Sequence, residues 1–141
     1  MKLLTKHTDY AVRALVALAD DNEGFVSARD ISRRQKIPYA FLRRLFPGLI
    51  KKGWVASREG FGGGVRLAGD PADIRVTEVI ELFQGPIRFS ECLFRKKICP
   101  NRAQCPLRET LIDLEKFVAA KFKNMTIGGL LKKTRLKRRK K

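Results

Sequence analysis

The stretch SARDISRRQKIPYAFLRRLFPGLIKKGW, residues 27–54, reads as two helices joined by a short turn. Ser27 stands three residues before Asp30. Its hydroxyl can therefore cap the N–H near Asp30, and Asp30 can answer at the start of the turn, an approximate capping box. The helix it opens should end near Gln35. Pro38 then suits a first helical position. Phe41, Leu42, Leu45, Leu49 and Ile50 recur at helical spacing, which buries one face and leaves Tyr39, Ala40, Arg43 and Arg44 outward or sideways. This is a helix-turn-helix pattern, whose last helix typically enters the major groove of DNA. Pro47 lacks the N–H that would bond the carbonyl of Arg43, so this helix is expected to kink or to end near Phe46.

Upstream, Ala11, Ala14, Leu15 and Leu18 follow the i, i+3, i+4, i+7 spacing and predict a helix from about Thr5 to Asp20. Downstream, WVASR and VRLAG are strand-like pieces joined by EGFGGG, a hairpin that forms a wing. A glycine-rich loop could instead cradle the phosphates of a nucleotide, but no Gly-Lys-Ser or Gly-Lys-Thr follows and the next segment reads as strand. Pro71 marks a break. IRVTEVIELFQGP then predicts a short helix with Val76, Val79, Ile80 and Phe83 on one side, closed by Gly85 and Pro86. From Pro106 to about Asn124, Leu107, Leu111, Leu114, Phe117, Val118 and Phe122 mark a long amphipathic helix with little chain left to cover it. Pairing with a second copy is the favoured cover; packing on its own domain is the alternative.

The 141 residues suit one main core. The expected class is mainly α with a small β-hairpin wing. Its parts are a winged helix-turn-helix over 1–85, a cysteine loop over 86–105, and a dimerisation helix with a short terminal helix over 106–131. Thirty-one Lys and Arg against fourteen Asp and Glu give +17, the field of a protein that meets a polyanion. Eight of those charges lie in KKTRLKRRKK, 132–141, so the rest still carries +9. The basic run itself is expected to be a solvated, disordered tail with at most nonspecific nucleic-acid contact. Charges at Lys6, Asp9 and Arg13 interrupt the N-terminal apolar run before it could serve as a signal peptide or membrane span, so a cytoplasmic protein with no membrane partner is expected.

All three cysteines, Cys92, Cys99 and Cys105, fall in ECLFRKKICPNRAQCPLRE, residues 91–109. An odd number of thiols in a reducing compartment favours metal or redox chemistry over disulfides. Thiolates are the ligands soft iron-sulfur clusters prefer, and a loop lets three sulfurs converge. Cys105 would cap the long helix with Pro106 at its first position, and the positive helix end favours the thiolate. Arg95, Lys96, Lys97, Arg102 and Arg108 surround the thiols with positive charge, which raises the reduction potential of an anionic cluster. Zinc on three cysteines with His7 or Asp9 is an alternative, although paired cysteine knuckles are missing. Three reduced thiols without metal are another. Catalysis finds little support: there is one histidine and no base placed for a thiol nucleophile.

The order of parts resembles the Rrf-two family of bacterial winged-helix regulators. The resemblance rests on LTKHTDYAVRALVALA, DIS with IPYAFLRRLFPGLIKKGWVAS, GFGGGVRLA, IRVTEVIELFQGP and the cysteine loop, and covers about residues 3–131. It implies a homodimeric transcription regulator, often a repressor, whose cysteines hold a 2Fe-2S or 4Fe-4S cluster that sets affinity for double-stranded DNA. The signal would be iron-sulfur status, redox state or nitric oxide. In one branch the fourth ligand is a histidine three residues after the last cysteine, where this chain has Arg108. In the nitric-oxide-sensing branch the fourth ligand resembles Asp9, supplied by the partner chain. Six residues separate Cys92 from Cys99, where those branches commonly have five. Where the first branch has serine and glutamate on its recognition helix, this chain has Ala40 and Arg43, and Glu59 beside Arg58 replaces an arginine before the wing glycine. The expected DNA contacts are Ser27, Tyr39, Ala40, Arg43 and Arg44, with Arg58, Phe61 and Arg66 on the wing. A cluster-free DNA-binding regulator and a zinc-stabilised nucleic-acid-binding module are the competing functions.

Overall fold

The computed structural model describes residues 2–21, 24–90 and 99–141. Helix α1 spans Lys6–Asp20, capped by the Thr5 hydroxyl, which accepts from the Thr8 N–H. Its Ala11, Ala14, Leu15 and Leu18 are buried. Helix α2 spans Ala28–Gln35, and the Ser27 hydroxyl accepts from Asp30 N–H at 3.1 Å. Only this half of the expected capping box is present, because the Asp30 carboxylate turns to Arg33. Lys36, at φ +52, adopts the left-handed conformation that closes α2 and opens the turn into the next helix.

Helix α3 runs Tyr39–Lys51 with Pro38 at its N-cap, one residue earlier than the expected helical position. It neither ends near Phe46 nor breaks at Pro47, which lies inside it. The reason is packing. Leu42, Leu45, Phe46 and Leu49 are buried on both sides of the proline. Each such side chain contributes roughly 1.5–3 kcal/mol, which together outweigh the ~3 kcal/mol that an internal proline costs.

Strands β1 (Val55–Arg58) and β2 (Gly64–Leu67) pair antiparallel, Val55 opposite Leu67 and Arg58 opposite Gly64. Val26 joins them through reciprocal 2.8 Å bonds with Val65, which fastens the wing to the segment entering α2. Gly64 permits this approach: its φ is +144, and a Cβ there would collide with the Val26 carbonyl.

Helix α4 covers Val76–Gln84, with Val76, Val79 and Ile80 buried. After a short 3-10 turn at Arg102–Gln104, α5 covers Pro106–Lys123 and α6 covers Ile127–Arg139. Backbone bonds from Val76 to Met125 and from Ile127 to Ile74, both 2.9 Å, tie the start of α6 to the start of α4. Ile127 and Leu131 then enter the common core.

Residues 132–139 therefore continue a helix, where a disordered tail is expected from composition. Asp20 supplies what composition hides: its carboxylate accepts from Arg135 at 2.9 Å and Arg138 at 2.7 Å, holding α6 against the end of α1. Lys137, Arg138 and Arg139 also occupy the last turn, where the helix dipole favours cations.

Helix α5 differs from the others. None of its residues is buried, and Leu107, Leu114 and Phe117 are 65%, 48% and 60% exposed. Among the described residues, no helix is long and apolar enough to cross a membrane.

Candidate nucleic-acid interface and thiol loop

The helix-turn-helix and the wing each present arginines stacked on an aromatic ring. On the first, the Tyr39 ring lies under the Arg29 guanidinium at 4.8 Å and near that of Arg43 at 6.0 Å. On the second, the Phe25 ring meets the guanidinium of Arg58 at 4.5 Å and that of Arg66 at 5.2 Å. Such contacts hold a guanidinium at a set height while leaving its N–H groups for an outside acceptor. Arg58 also donates to the Gly62 carbonyl at 2.9 Å, which braces the wing loop from within.

Ala40, Arg43 and Arg44 are exposed on α3, as are Ser27, Arg58 and Arg66; Tyr39 is half-buried. Phe61 is fully exposed at the wing tip. Sequence spacing did not reveal Phe25 or Arg29. Phe25 precedes α2 as an isolated aromatic outside any periodic pattern, and its partners are more than thirty residues away in sequence. An arginine just after a helix cap carries no signal until Tyr39 is folded beside it.

The thiol loop divides across the described boundary. Cys92 lies outside the described residues. Cys99 and Cys105 are half-buried and form no disulfide. They flank the 3-10 turn, within which Arg102 N–H donates to the Cys99 carbonyl at 3.3 Å. Cys105 is the N-cap of α5 and Pro106 its first residue, as the spacing predicts. One turn on, Arg108 has a buried Nε–H with no acceptor among the described residues. An orphaned cationic donor three residues from a helix-capping thiol suits an anionic, sulfur-rich group beside it. Two thiols, this donor and the helix end fit the chemistry of an iron-sulfur cluster.

The remaining ligand candidates sit elsewhere. Asp9 lies in the first turn of α1, half-exposed, with its carboxylate 3.5 Å from Arg13 of the same helix. His7 lies with its ring centroid 5.2 Å from that of Phe41. Among the described residues, no three His, Cys, Asp or Glu side chains gather closely enough to hold a metal ion within one protomer.

The entrance to the loop is tied to α5. Glu115 accepts from Phe89 N–H at 2.9 Å and pairs with Arg88 at 3.4 Å. Beneath this pair, a cleft of about 330 Å³ separates α4 from α5, lined by Ile80, Ile87, Ile112, Ala119 and Phe122 among others. The elements bracketing the thiols and the unburied face of α5 are thus parts of one unit.

Comparison with known proteins gives a consistent picture. The Rrf2 model, described as an iron-dependent transcriptional regulator, matches residues 4–133. The HTH-type transcriptional regulator IscR of Photobacterium profundum is 35% identical over 130 residues, covering 92% of this chain and 75% of its own. The HTH-type transcriptional regulator NsrR of Bacillus subtilis is 30% identical over 131 residues, covering 92% and 90%. Among solved structures, T. potens IscR superimposes with a TM-score of 0.73 at 27% identity, over 95% of this chain and 88% of that one.

Proposed function

Because this chain belongs to the Rrf2 family of transcriptional regulators, we propose that it binds double-stranded DNA as a homodimer, as a repressor, and that an iron-sulfur cluster adjusts this binding. The family and the similar proteins are regulators of transcription, not enzymes.

The observation that carries the DNA reading is the pair of arginine-aromatic stacks, Tyr39 with Arg29 and Arg43, and Phe25 with Arg58 and Arg66. Ser27, Ala40 and Arg44 share the α2 and α3 surface, and Phe61 stands at the wing tip for backbone or minor-groove contact. Charge on these groups supplies affinity, and α3 reads base edges. The homodimer is supported by α5, on which Leu107, Leu114 and Phe117 stay exposed among the described residues.

A 2Fe-2S or 4Fe-4S cluster would be held by Cys92, Cys99 and Cys105, with the partner subunit's Asp9 as fourth ligand. When bound, it supplies one-electron chemistry and reactivity toward oxygen or nitric oxide. Cys105 would draw the cluster onto the start of the dimer helix, and Arg108 would donate to its anionic edge. The partner subunit's Asp9 would have to leave its ion pair with Arg13, so ligation and the α1 surface are linked. That same ion pair favours, as a second reading, a cluster-free regulator in which Asp9 is a helix-surface acid.

The test is anaerobic purification with absorption spectroscopy and metal analysis. Brown protein containing iron and acid-labile sulfide is expected; a colourless, iron-free chain after anaerobic reconstitution sinks the cluster, and zinc in its place identifies a structural metal module. For DNA, affinity should fall steeply with salt. A salt-insensitive or absent affinity in both forms ends that part of the proposal.

A further inference from the structure

We infer that the C-terminal half of α6 is a second phosphate-binding surface, which grips duplex DNA flanking the site read by α3 and the wing. This rests on the DNA-binding reading above, and adds an interface that neither α3 nor the wing supplies.

Two adjacent acids carry the geometry. Asp20 receives Arg135 and Arg138 of α6 at 2.9 and 2.7 Å. Its neighbour Asp21 receives Arg34, in the last turn of α2. The end of α1 thus holds both α6 and α2, and Arg34 and Gln35 of α2 line one cleft with Thr134 and Arg138 of α6. The end of α2 leads through exposed Lys36 into the turn before the recognition helix. The cationic end of α6 is consequently anchored beside the DNA-reading unit as a rigid arm.

The charge balance on α6 leaves a surplus. Asp20 engages Arg135 and Arg138. Lys132, Lys133, Lys137, Arg139, Lys140 and Lys141 are exposed and meet no carboxylate among the described residues. No acid lies in residues 127–141. Like charges four apart, such as Lys133 with Lys137 and Arg135 with Arg139, repel along a helix. The helix persists because Ile127 and Leu131 are buried and Asp20 clamps it. A helix that carries cations with no carboxylate partner among the described residues is suited to a regular polyanion, since binding takes away little further backbone freedom. Duplex phosphates are that polyanion, because α2 and its turn adjoin the same corner.

The experiment uses the full chain and a duplex that it selects from a randomised pool. Binding is compared on a duplex of about two helical turns and on one extended by about one turn of arbitrary sequence at each end. The wild type should bind the extended duplex at least several-fold more tightly and with a steeper salt dependence. Neutralising the six free cations together, Lys132→Gln, Lys133→Gln, Lys137→Gln, Arg139→Gln, Lys140→Gln and Lys141→Gln, should abolish that length advantage. It should also flatten the slope of log affinity against log salt by about 0.9 for each phosphate that the protein no longer neutralises. Binding to the short duplex should persist, and circular dichroism should report unchanged helix.

Retention of the length advantage and slope by the six-fold variant overturns the inference. So does binding to phosphatidylglycerol vesicles that disappears in the variant while flank length has no effect, which would assign α6 to a membrane surface. Failure of the underlying reading looks different: a Tyr39→Ala, Arg43→Ala variant would then bind the short duplex like the wild type.

Discussion

The hydroxyl of Thr8 donates to the side-chain carbonyl of Gln84 at 2.7 Å, joining α1 to the end of α4 across 76 residues of sequence. Thr8 is fully buried, and the same carbonyl accepts from Thr5 N–H at 2.9 Å while the Gln84 amide donates to the Leu3 carbonyl at 3.0 Å. Gln84→Leu removes the acceptor shared by the Thr8 hydroxyl and Thr5 N–H and leaves the buried hydroxyl only its Thr5 hydroxyl neighbour at 3.1 Å, which should cost about 0.5–1.5 kcal/mol for each bond lost. Urea unfolding measures this; a loss within error of zero would show that the network is dispensable.

Gly64→Ala should loosen the wing. Its φ of +144 disfavours any side chain, and the new methyl would meet the Val26 carbonyl that pairs with Val65. Faster amide exchange at Val26 and Val65, with the α1 and α3 core still protected, is the expected pattern. Unaltered exchange in the hairpin would mean the backbone accommodates the methyl.

Phe25→Leu keeps apolar bulk beneath Arg58 and Arg66 but removes the aromatic face. Each of the two stacks contributes ~0.5–1 kcal/mol to holding its guanidinium in place, so duplex affinity should fall by up to about five- to thirtyfold. Fluorescence anisotropy at fixed salt checks it, with thermal unfolding as the control. Equal affinity would separate the stacks from DNA binding.

The clamp on α6 should respond to acid. Hydrogen bonds from Arg138 and then Arg135 hold the Asp20 carboxyl below its ordinary value of 3.8. A carboxyl with a lowered folded value contributes stability that is complete above its unfolded value and is lost as pH falls through the folded one. Wild type should therefore lose more stability than Asp20→Asn between neutral pH and the acid side of that range. Parallel stability curves for the two proteins would show that the clamp adds nothing.

Asp9→Ala should weaken retention of a reconstituted cluster while leaving the fold intact, because the Asp9–Arg13 pair is a half-exposed helix-surface contact worth little by itself. Cluster loss is followed by absorbance under chelator challenge. Identical loss rates would remove Asp9 from the ligand set.

Much of the fold was legible in local pattern. Helical spacing marked α1, α2, α4 and α5 and the start of α3 to within a residue or two, and Ser27, Cys105 and Pro106 announced helix starts. These signals survive in sequence because a cap and a helix face depend on residues within a few positions of one another. Pro47 and residues 132–139 were misleading for the opposite reason. The proline's local cost is offset by leucines packed against other elements, and the basic run is ordered by an acid 115 residues away from Arg135.

The sequence by itself determined the winged helix-turn-helix order, the strong positive charge and the gathering of thiols before α5. Tertiary structure alone decided that Phe25 and Tyr39 hold the arginines and that Asp20 turns a charged tail into an anchored helix. Periodicity encodes which face of an element is buried; it does not encode which distant side chain completes a ring stack or an ion pair, because those contacts exist only after the elements have packed.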